Sequence, residues 1–176
     1  YLKIYNQLIE IGSTLLSWMD DNTPVAVKQL FSVSLESMIQ NCQRHLLRVI
    51  HYPPLVGDEK KNEIRAEAHC DINLVTVLVA GSSSGLQVLT NENTWMDVST
   101  DKGSLVINSG DMLQELSDYY YKSTVHRVIN PNNKTKHIAR FSMPMFIHPR
   151  DEIVLSERYT AGSYLEERLK EIGLKK

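Results

Sequence analysis

Two side chains that could bind a metal ion lie two positions apart in the sequence Ala-His-Cys-Asp, where they are His69 and Asp71. The surrounding residues predict a β-strand from Ile64 to Asp71, and side chains at positions i and i+2 of a strand point to the same face. An imidazole and a carboxylate on one face supply two ligands of a facial metal site. Cys70 lies between them and is expected to point to the opposite face. The same pattern also fits a hydrogen-bonded His and Asp without a metal.

A second imidazole would complete such a site. His126 lies in another predicted strand, Ser123 to Ile129, and together with His69 and Asp71 it would form the 2-His-1-carboxylate set that binds Fe(II). The spacing does not single out this residue, because a lone His on a strand is commonly structural and other side chains are possible ligands. These are His45, His51, His137, His148 and Cys70.

A second pair of polar residues with the same spacing is Arg140 and Ser142, in the predicted strand His137 to Ile147. The guanidinium is a planar fork that can bind two carboxylate oxygens, and a neighbouring hydroxyl adds a further donor. An Arg at the rim of a sheet would instead be solvated. The interpretation of this pair as a carboxylate-binding site therefore depends on the candidate metal site. Together, the pair and the metal site could hold a metal ion and an acidic co-substrate side by side.

Length and composition are those of one globular domain, with 176 residues, 42% hydrophobic and 23% charged. A net charge of −2 indicates no nucleic-acid partner. No apolar run is long enough for a membrane span, and no secretory signal is visible. Two cysteines, Cys42 and Cys70, cannot form a disulfide framework or a cysteine zinc site. These features predict a cytoplasmic protein with no membrane partner.

Helical patterns flank a β-rich middle. Apolar spacing predicts helices over Tyr1–Asp20, Gln29–Asn41 and Tyr159–Leu174. Between them, turn residues separate short predicted strands: Leu46–Tyr52, Ile64–Asp71, Leu74–Ala80, Leu86–Thr90, Trp95–Val98, Ser104–Asn108, Ser123–Ile129 and His137–Ile147. Gly110 and Asp111 are interpreted as a turn, and Asn130 to Lys134 as a hairpin turn that loops outward. Many short strands with terminal helices predict a mainly β fold, such as a sandwich, jelly roll or barrel.

A series of motifs between Leu46 and Pro149 resembles the isopenicillin N synthase-like branch of the 2-oxoglutarate/Fe(II)-dependent dioxygenases. In order, they are Leu-Arg-Val-Ile-His-Tyr-Pro-Pro, Ala-His-Cys-Asp, Gly-Leu-Gln-Val, Val-Ile-Asn-Ser-Gly-Asp, Tyr-Lys-Ser-Thr-Val-His-Arg-Val and Arg-Phe-Ser. The resemblance implies a double-stranded β-helix, or jelly roll, with helices at the N- and C-termini. It also implies that His69, Asp71 and His126 bind Fe(II).

The same resemblance implies that Arg140, Ser142 and Tyr52 hold the distal carboxylate of the co-substrate 2-oxoglutarate. The implied activity is the O2-dependent oxidation of a small molecule, by hydroxylation or desaturation, with release of succinate and CO2. One alternative is an Fe(II) oxidase of the same family that needs no 2-oxoglutarate, in which the Arg-x-Ser pair holds a substrate carboxylate. The other is a metal-binding jelly-roll module without catalysis.

The expected organisation is one oxygenase domain over residues 1–176. Within it we expect a helical support region at 1–43, the double-stranded β-helix core at 44–150, and a C-terminal extension with a helix at 151–176. The N-terminal region that family members carry is expected to be missing from this sequence. Neither the substrate nor the oligomeric state can be read from the residues.

Overall fold

The computed structural model describes residues 1–57, 64–99, 101, 103–131 and 136–175. Its helices are α1 (Leu2–Asn22), α2 (Val25–Lys28), α3 (Leu35–Ile39), α4 (Asp111–Leu116) and α5 (Ala161–Glu171). Its strands are β1 (Leu46–Leu47), β2 (Ile50–Tyr52), β3 (Ala66–His69), β4 (Val75–Val79), β5 (Leu86–Leu89), β6 (Trp95–Asp97), β7 (Leu105–Ser109), β8 (His126–Val128) and β9 (Arg140–Ile147).

The strands form two antiparallel sheets. The larger has the order β1-β9-β4-β7, with β2 also paired to β9, and the smaller has the order β3-β8-β5-β6. Side chains of both sheets line one cavity. Two antiparallel sheets with non-sequential strand order around a common interior, with helices at both ends of the chain, make the jelly roll that the sequence predicts.

Alternation along β4 separates a helix-covered core from the cavity. Val75 and Val77 are buried in the main hydrophobic core, whereas Thr76 and Leu78 line the cavity. The core includes Leu8 and Leu16 of α1, so the long first helix covers the outer face of the larger sheet. Because successive strand residues point to opposite faces, the same strand supports the helix and supplies cavity residues.

Several predicted elements differ in extent from the observed ones. The predicted strand Leu46–Tyr52 is divided at Arg48 and Val49 into β1 and β2, and the predicted helix Gln29–Asn41 contracts to α3. Strand β7 is shifted by one residue from its predicted range, and the remaining strands are one to four residues shorter than predicted. The hairpin turn predicted at Asn130–Lys134 lies partly outside the described residues.

Helix α4 was missed, because its start was interpreted as the turn at Gly110 and Asp111. Its apolar residues Met112, Leu113 and Leu116 have helical spacing and are buried, but six residues are too few for a clear period. None of the described helices has the length and apolarity needed to cross a membrane.

A buried histidine, His148, and a half-buried one, His45, are in contact just beyond the end of β9. His148 is 9% exposed, and its Nδ1 atom has no hydrogen-bond partner among the described residues. The backbone N–H of His148 donates to Nδ1 of His45 at 3.3 Å. Burial lowers the pKa of His148 to about 4, and burial also lowers the pKa of His45. Both rings are therefore neutral in the folded protein near neutral pH.

We expect acid to destabilise the fold through His148. Below pH 6.5 the unfolded chain protonates this imidazole, whereas the folded chain does so only near its pKa of about 4. The free energy of unfolding should therefore fall by about 3 kcal/mol between pH 7 and pH 4 from this group. Urea unfolding across this range should show a smaller pH dependence for His148→Gln than for the control His137→Gln, whose ring is exposed. Equal pH dependence in both variants would contradict the assignment.

Candidate functional site

The structure brings His69, Asp71 and His126 together. His69 ends β3 and pairs across the sheet with His126, the first residue of β8, and Asp71 follows two residues beyond His69. The two imidazole rings have centroids 4.4 Å apart, and one potential ligand atom from each of the three residues lies within 4.8 Å of the others. Cys70 is outside this group of ligand atoms.

Backbone carbonyls determine which ring nitrogen of His69 and of His126 carries a proton. Nδ1 of His69 lies 2.7 Å from the carbonyl oxygen of Glu67, and Nδ1 of His126 lies 2.9 Å from that of Thr124. A carbonyl oxygen only accepts hydrogen bonds, so in the neutral form of each ring Nδ1 carries the proton and Nε2 has the lone pair that can bind a metal. This is the outer-shell arrangement that orients histidine ligands in metal sites.

The carboxylate of Asp71 is held through one of its two oxygens. Thr76 Oγ1 donates to Oδ2 at 2.6 Å, and Asn108 Nδ2 donates to the same oxygen at 2.9 Å. Asn73, fully buried, donates in turn from Nδ2 to Thr76 Oγ1 at 2.8 Å. The other oxygen, Oδ1, lies 3.7 Å from Nε2 of His126. One carboxylate oxygen is therefore left facing the imidazoles as a ligand.

The start of α4 supports the loop that carries Asp71. The backbone N–H of Asp111 donates to the carbonyl of Asp71 at 2.8 Å, and that of Met112 donates to the carbonyl of Asn73 at 3.1 Å. Gly110 allows this approach, because a Cβ there would lie 2.8 Å from the carbonyl oxygen of Asp71 and closer still to Asn73. The residues interpreted as a turn thus position a candidate metal ligand.

Arg140 is buried in the larger sheet. It lies at one end of the cavity, together with Tyr52 and Ser142. Its side chain is 1% exposed, and Tyr52 pairs directly with it across β2 and β9. Nε donates to the carbonyl of Ser83 at 3.1 Å, whereas Nη1 has no hydrogen-bond partner among the described residues. Burial lowers the pKa of this guanidinium, which lacks a nearby carboxylate among the described residues. The solvated position at the rim of a sheet is therefore excluded.

A glycine-rich loop between β4 and β5 packs on Arg140. A Cβ on Gly81 would lie 2.6 Å from Nη2 of Arg140, so only a glycine leaves room for the guanidinium in this position. Ser82 exchanges two hydrogen bonds with the backbone of Phe141, at 2.9 and 3.0 Å. This loop was predicted only as a break between two strands. In the structure it fixes the position of the guanidinium of Arg140.

Both groups of residues line one cavity of about 540 Å³, a volume typical of small-molecule sites. Asp71 is the one acidic residue among its described lining residues. Two imidazole nitrogens and one carboxylate oxygen are a donor set that suits Fe(II). A buried guanidinium with an unpaired donor suits a carboxylate of a bound acid. The residues present therefore fit an iron ion and an acidic co-substrate.

Comparison with known proteins identifies the family. The family model described as the 2OG-Fe(II) oxygenase superfamily matches residues 43–149. The chain belongs to this superfamily. Its enzymes use Fe(II), 2-oxoglutarate and O2. The matched range contains the three candidate metal ligands and also Arg140 and Ser142.

Three similar proteins support the fold and the family. A candidate oxygenase from Shewanella oneidensis is 50% identical with a TM-score of 0.89, over 98% of this chain and 64% of that chain. A full-length Neurospora crassa protein in complex with alpha-KG is 30% identical with a TM-score of 0.64, over 73% of this chain and 44% of that one. The 2-oxoglutarate-Fe(II) type oxidoreductase hxnY of Emericella nidulans is 38% identical over 57% of this chain. The chain spans 28% of the length of that relative.

Two glycines provide separate tests of the two halves of the site. Gly110→Ala should weaken Fe(II) binding by about tenfold or more, because the added methyl group displaces the loop of Asp71. Gly81→Ala should leave Fe(II) affinity unchanged and weaken 2-oxoglutarate binding, because it displaces the guanidinium of Arg140. Anaerobic calorimetry measures both affinities.

Gly173→Ala is the control for these variants, since no atom lies within 4 Å of a Cβ at that position. The positive φ of Gly173, 74°, strains an alanine there, so this variant also controls for a mild backbone effect away from the cavity. Circular dichroism should show all three variants folded. A folded Gly110→Ala protein with the Fe(II) affinity of the wild type would contradict the role of Gly110.

Proposed function

We propose that this chain is the jelly-roll core of an Fe(II)/2-oxoglutarate-dependent dioxygenase. It would oxidise a small molecule, by hydroxylation or desaturation, with release of succinate and CO2. The observation that carries the proposal is the presence, in one cavity, of a His-Asp-His ligand set and a buried guanidinium that has no counter-ion among the described residues. The alpha-KG complex of the Neurospora crassa protein, which has a similar fold, supports the same co-substrate here.

In this proposal His69, Asp71 and His126 hold Fe(II). The two imidazoles bind through Nε2, since their Nδ1 atoms donate to carbonyls. Asp71 binds through Oδ1, because Thr76 and Asn108 occupy Oδ2. Three protein ligands on one side of the ion leave its other positions for small molecules. When bound, iron and 2-oxoglutarate would provide the means to oxidise the substrate with O2. In that reaction 2-oxoglutarate is converted to succinate and CO2.

Arg140, Ser142 and Tyr52 hold the distal carboxylate of 2-oxoglutarate. Arg140 contributes the charge and the unpaired Nη1 donor, and Ser142, 7% exposed on the same face of β9, contributes a hydroxyl. The ring of Tyr52 lies with its centroid 5.3 Å from Cζ of Arg140 and covers the guanidinium against water. The guanidinium of Arg140 is held by the carbonyl of Ser83 and by close packing on Gly81 before 2-oxoglutarate binds. Binding therefore costs little conformational entropy of this side chain.

The finer assignments are part of the same proposal. Placement in the isopenicillin N synthase-like branch is supported by the ordered motifs from Leu46 to Pro149. The division into a support region at 1–43, a core at 44–150 and an extension at 151–176 is supported by the positions of α1 to α3 and of α5. A cytoplasmic location stays a prediction from composition.

Succinate formation tests the proposed activity. With Fe(II), 2-oxoglutarate and O2, the purified chain should release succinate slowly even without a prime substrate. Arg140→Gln should raise the 2-oxoglutarate concentration needed for half-maximal release by about 100-fold, because a charged hydrogen-bond partner is lost. The control Arg158→Gln changes a residue whose side chain is 72% exposed and should have no effect.

Each other outcome has a distinct meaning. An unchanged 2-oxoglutarate requirement in Arg140→Gln would contradict the clamp. Succinate-free oxidation of a substrate would indicate the oxidase that needs no 2-oxoglutarate. No succinate under aerobic, iron-replete conditions would favour the metal-binding module without catalysis for this chain.

A further inference from the structure

A second cationic side chain lies in the same cavity, away from Arg140. Arg48 follows β1, and its backbone N–H donates to the carbonyl of Pro144 at 3.0 Å. Its guanidinium carbon lies 5.5 Å from the ring centroid of Phe146, and both side chains line the cavity. The ring face holds the guanidinium by a cation–π contact and leaves N–H donors at its edge free for another group.

Arg48 and Phe146 belong to the metal end of the cavity. Phe146 pairs across the sheet with Thr76, whose hydroxyl donates to Asp71 at 2.6 Å. Along β9, Phe146 is six residues from Arg140, or about 20 Å at the usual rise of a strand. A five-carbon diacid that reaches from Arg140 to the metal ligands does not extend to Phe146 as well. The space beside Phe146 is therefore left for the prime substrate.

The charges in the cavity favour an anionic substrate. Fe(II), Asp71, Arg140 and the 2-oxoglutarate dianion would balance to zero. Arg65 also lines the cavity, and its Nε and Nη1 have no hydrogen-bond partner among the described residues. It lies at the Tyr52 end, away from the metal ligands, where its Nη2 donates to the backbone carbonyl of Pro53 at 3.1 Å. At the metal end, Arg48 has no acidic partner among the described residues, and the cavity offers none besides Asp71. Arg48, an exposed residue, therefore has no protein counter-charge where the substrate would lie.

The surroundings of Arg48 also restrict the body of the substrate. Ile50 and Pro144 line the cavity together with the flat ring of Phe146. These side chains offer apolar contact and no charged partner. A planar or apolar body against Phe146, with one carboxylate at Arg48, would satisfy both the apolar wall and the guanidinium.

From this arrangement we propose that Arg48, stacked on Phe146, is the site for the carboxylate of the prime substrate, a small monocarboxylic acid with a planar apolar body. The inference rests on the proposed function, because it takes 2-oxoglutarate to occupy the Arg140 end. It assigns Arg48 to substrate specificity and Phe146 to the wall against which the substrate body lies.

Matched acids and amides test this assignment by binding alone. The probes are benzoate, phenylacetate and 3-phenylpropanoate, each paired with its neutral amide. They are titrated anaerobically into the Fe(II)·2-oxoglutarate complex of the full chain, with calorimetry and the visible absorption of the complex as readouts. At least one acid should bind about tenfold more tightly than its amide, the size of effect expected from a charged hydrogen bond.

Two arginine variants four residues apart separate this site from general charge effects. Arg48→Gln should remove the preference for acid over amide and leave 2-oxoglutarate affinity within about twofold of wild type. Arg44→Gln should keep the preference, since Arg44 pairs with Asp151 at 2.6 Å outside the cavity. Phe146→Leu should weaken acid and amide alike, because it removes the flat wall that both would contact.

The remaining outcomes overturn one proposal or both. Equal binding of acid and amide, no binding of any acid, or an acid preference that survives in Arg48→Gln would overturn this inference alone. Loss of 2-oxoglutarate affinity in Arg48→Gln would also overturn it, by assigning Arg48 to the co-substrate. Failure of the Fe(II)·2-oxoglutarate complex to form in the wild type would overturn the proposed function and this inference with it.

Discussion

The alternation of side chains along the two central strands, β4 and β9, is the constraint on which the rest of the structure depends. On one face, Val77, Met145 and Ile147 form the core beneath α1. On the other face, Thr76 and the even-numbered residues of β9 line the cavity. A shift of either strand by one residue would exchange the two sets, with apolar residues facing the ligands and Arg140 facing the helix. Stability of the core and placement of the site are thus one requirement.

Close contacts at three glycines help to fix the positions of the functional groups that the strand register places in the cavity. Gly12 lets α1 approach β9, where a Cβ would collide with the side chain of Ile147. Gly110 lets α4 approach the loop of Asp71, and Gly81 lets the β4–β5 loop approach Arg140. At each place a methyl group would separate two elements. The ligand set and the guanidinium are therefore held in place by packing around them, and not only by their own strands.

The sequence predicts the candidate ligand-binding residues better than those that support them. His69, Arg140 and Ser142 could be found because strand alternation and residue chemistry are local properties. Asp71 lies beyond the end of β3, contrary to the predicted strand, and was found from its residue type and its spacing to His69. Thr76 and Asn108 hold Asp71, and Asn108 is 37 residues away from it in sequence. The sole local signal for Thr76 is a polar residue at an inward position of an apolar strand. Helix α4 was missed because six residues carry little periodicity and its role depends on contacts with the Asp71 loop.

The most direct test of the central claim is an anaerobic titration of the chain with Fe(II) and 2-oxoglutarate, followed by visible absorption. Chelation of the ion by the keto acid gives a metal-to-ligand charge-transfer band. We expect such a band at one iron and one 2-oxoglutarate per chain, and no band in Asp71→Ala. A wild-type chain without the band, or an Asp71→Ala variant with the same band, would contradict this claim.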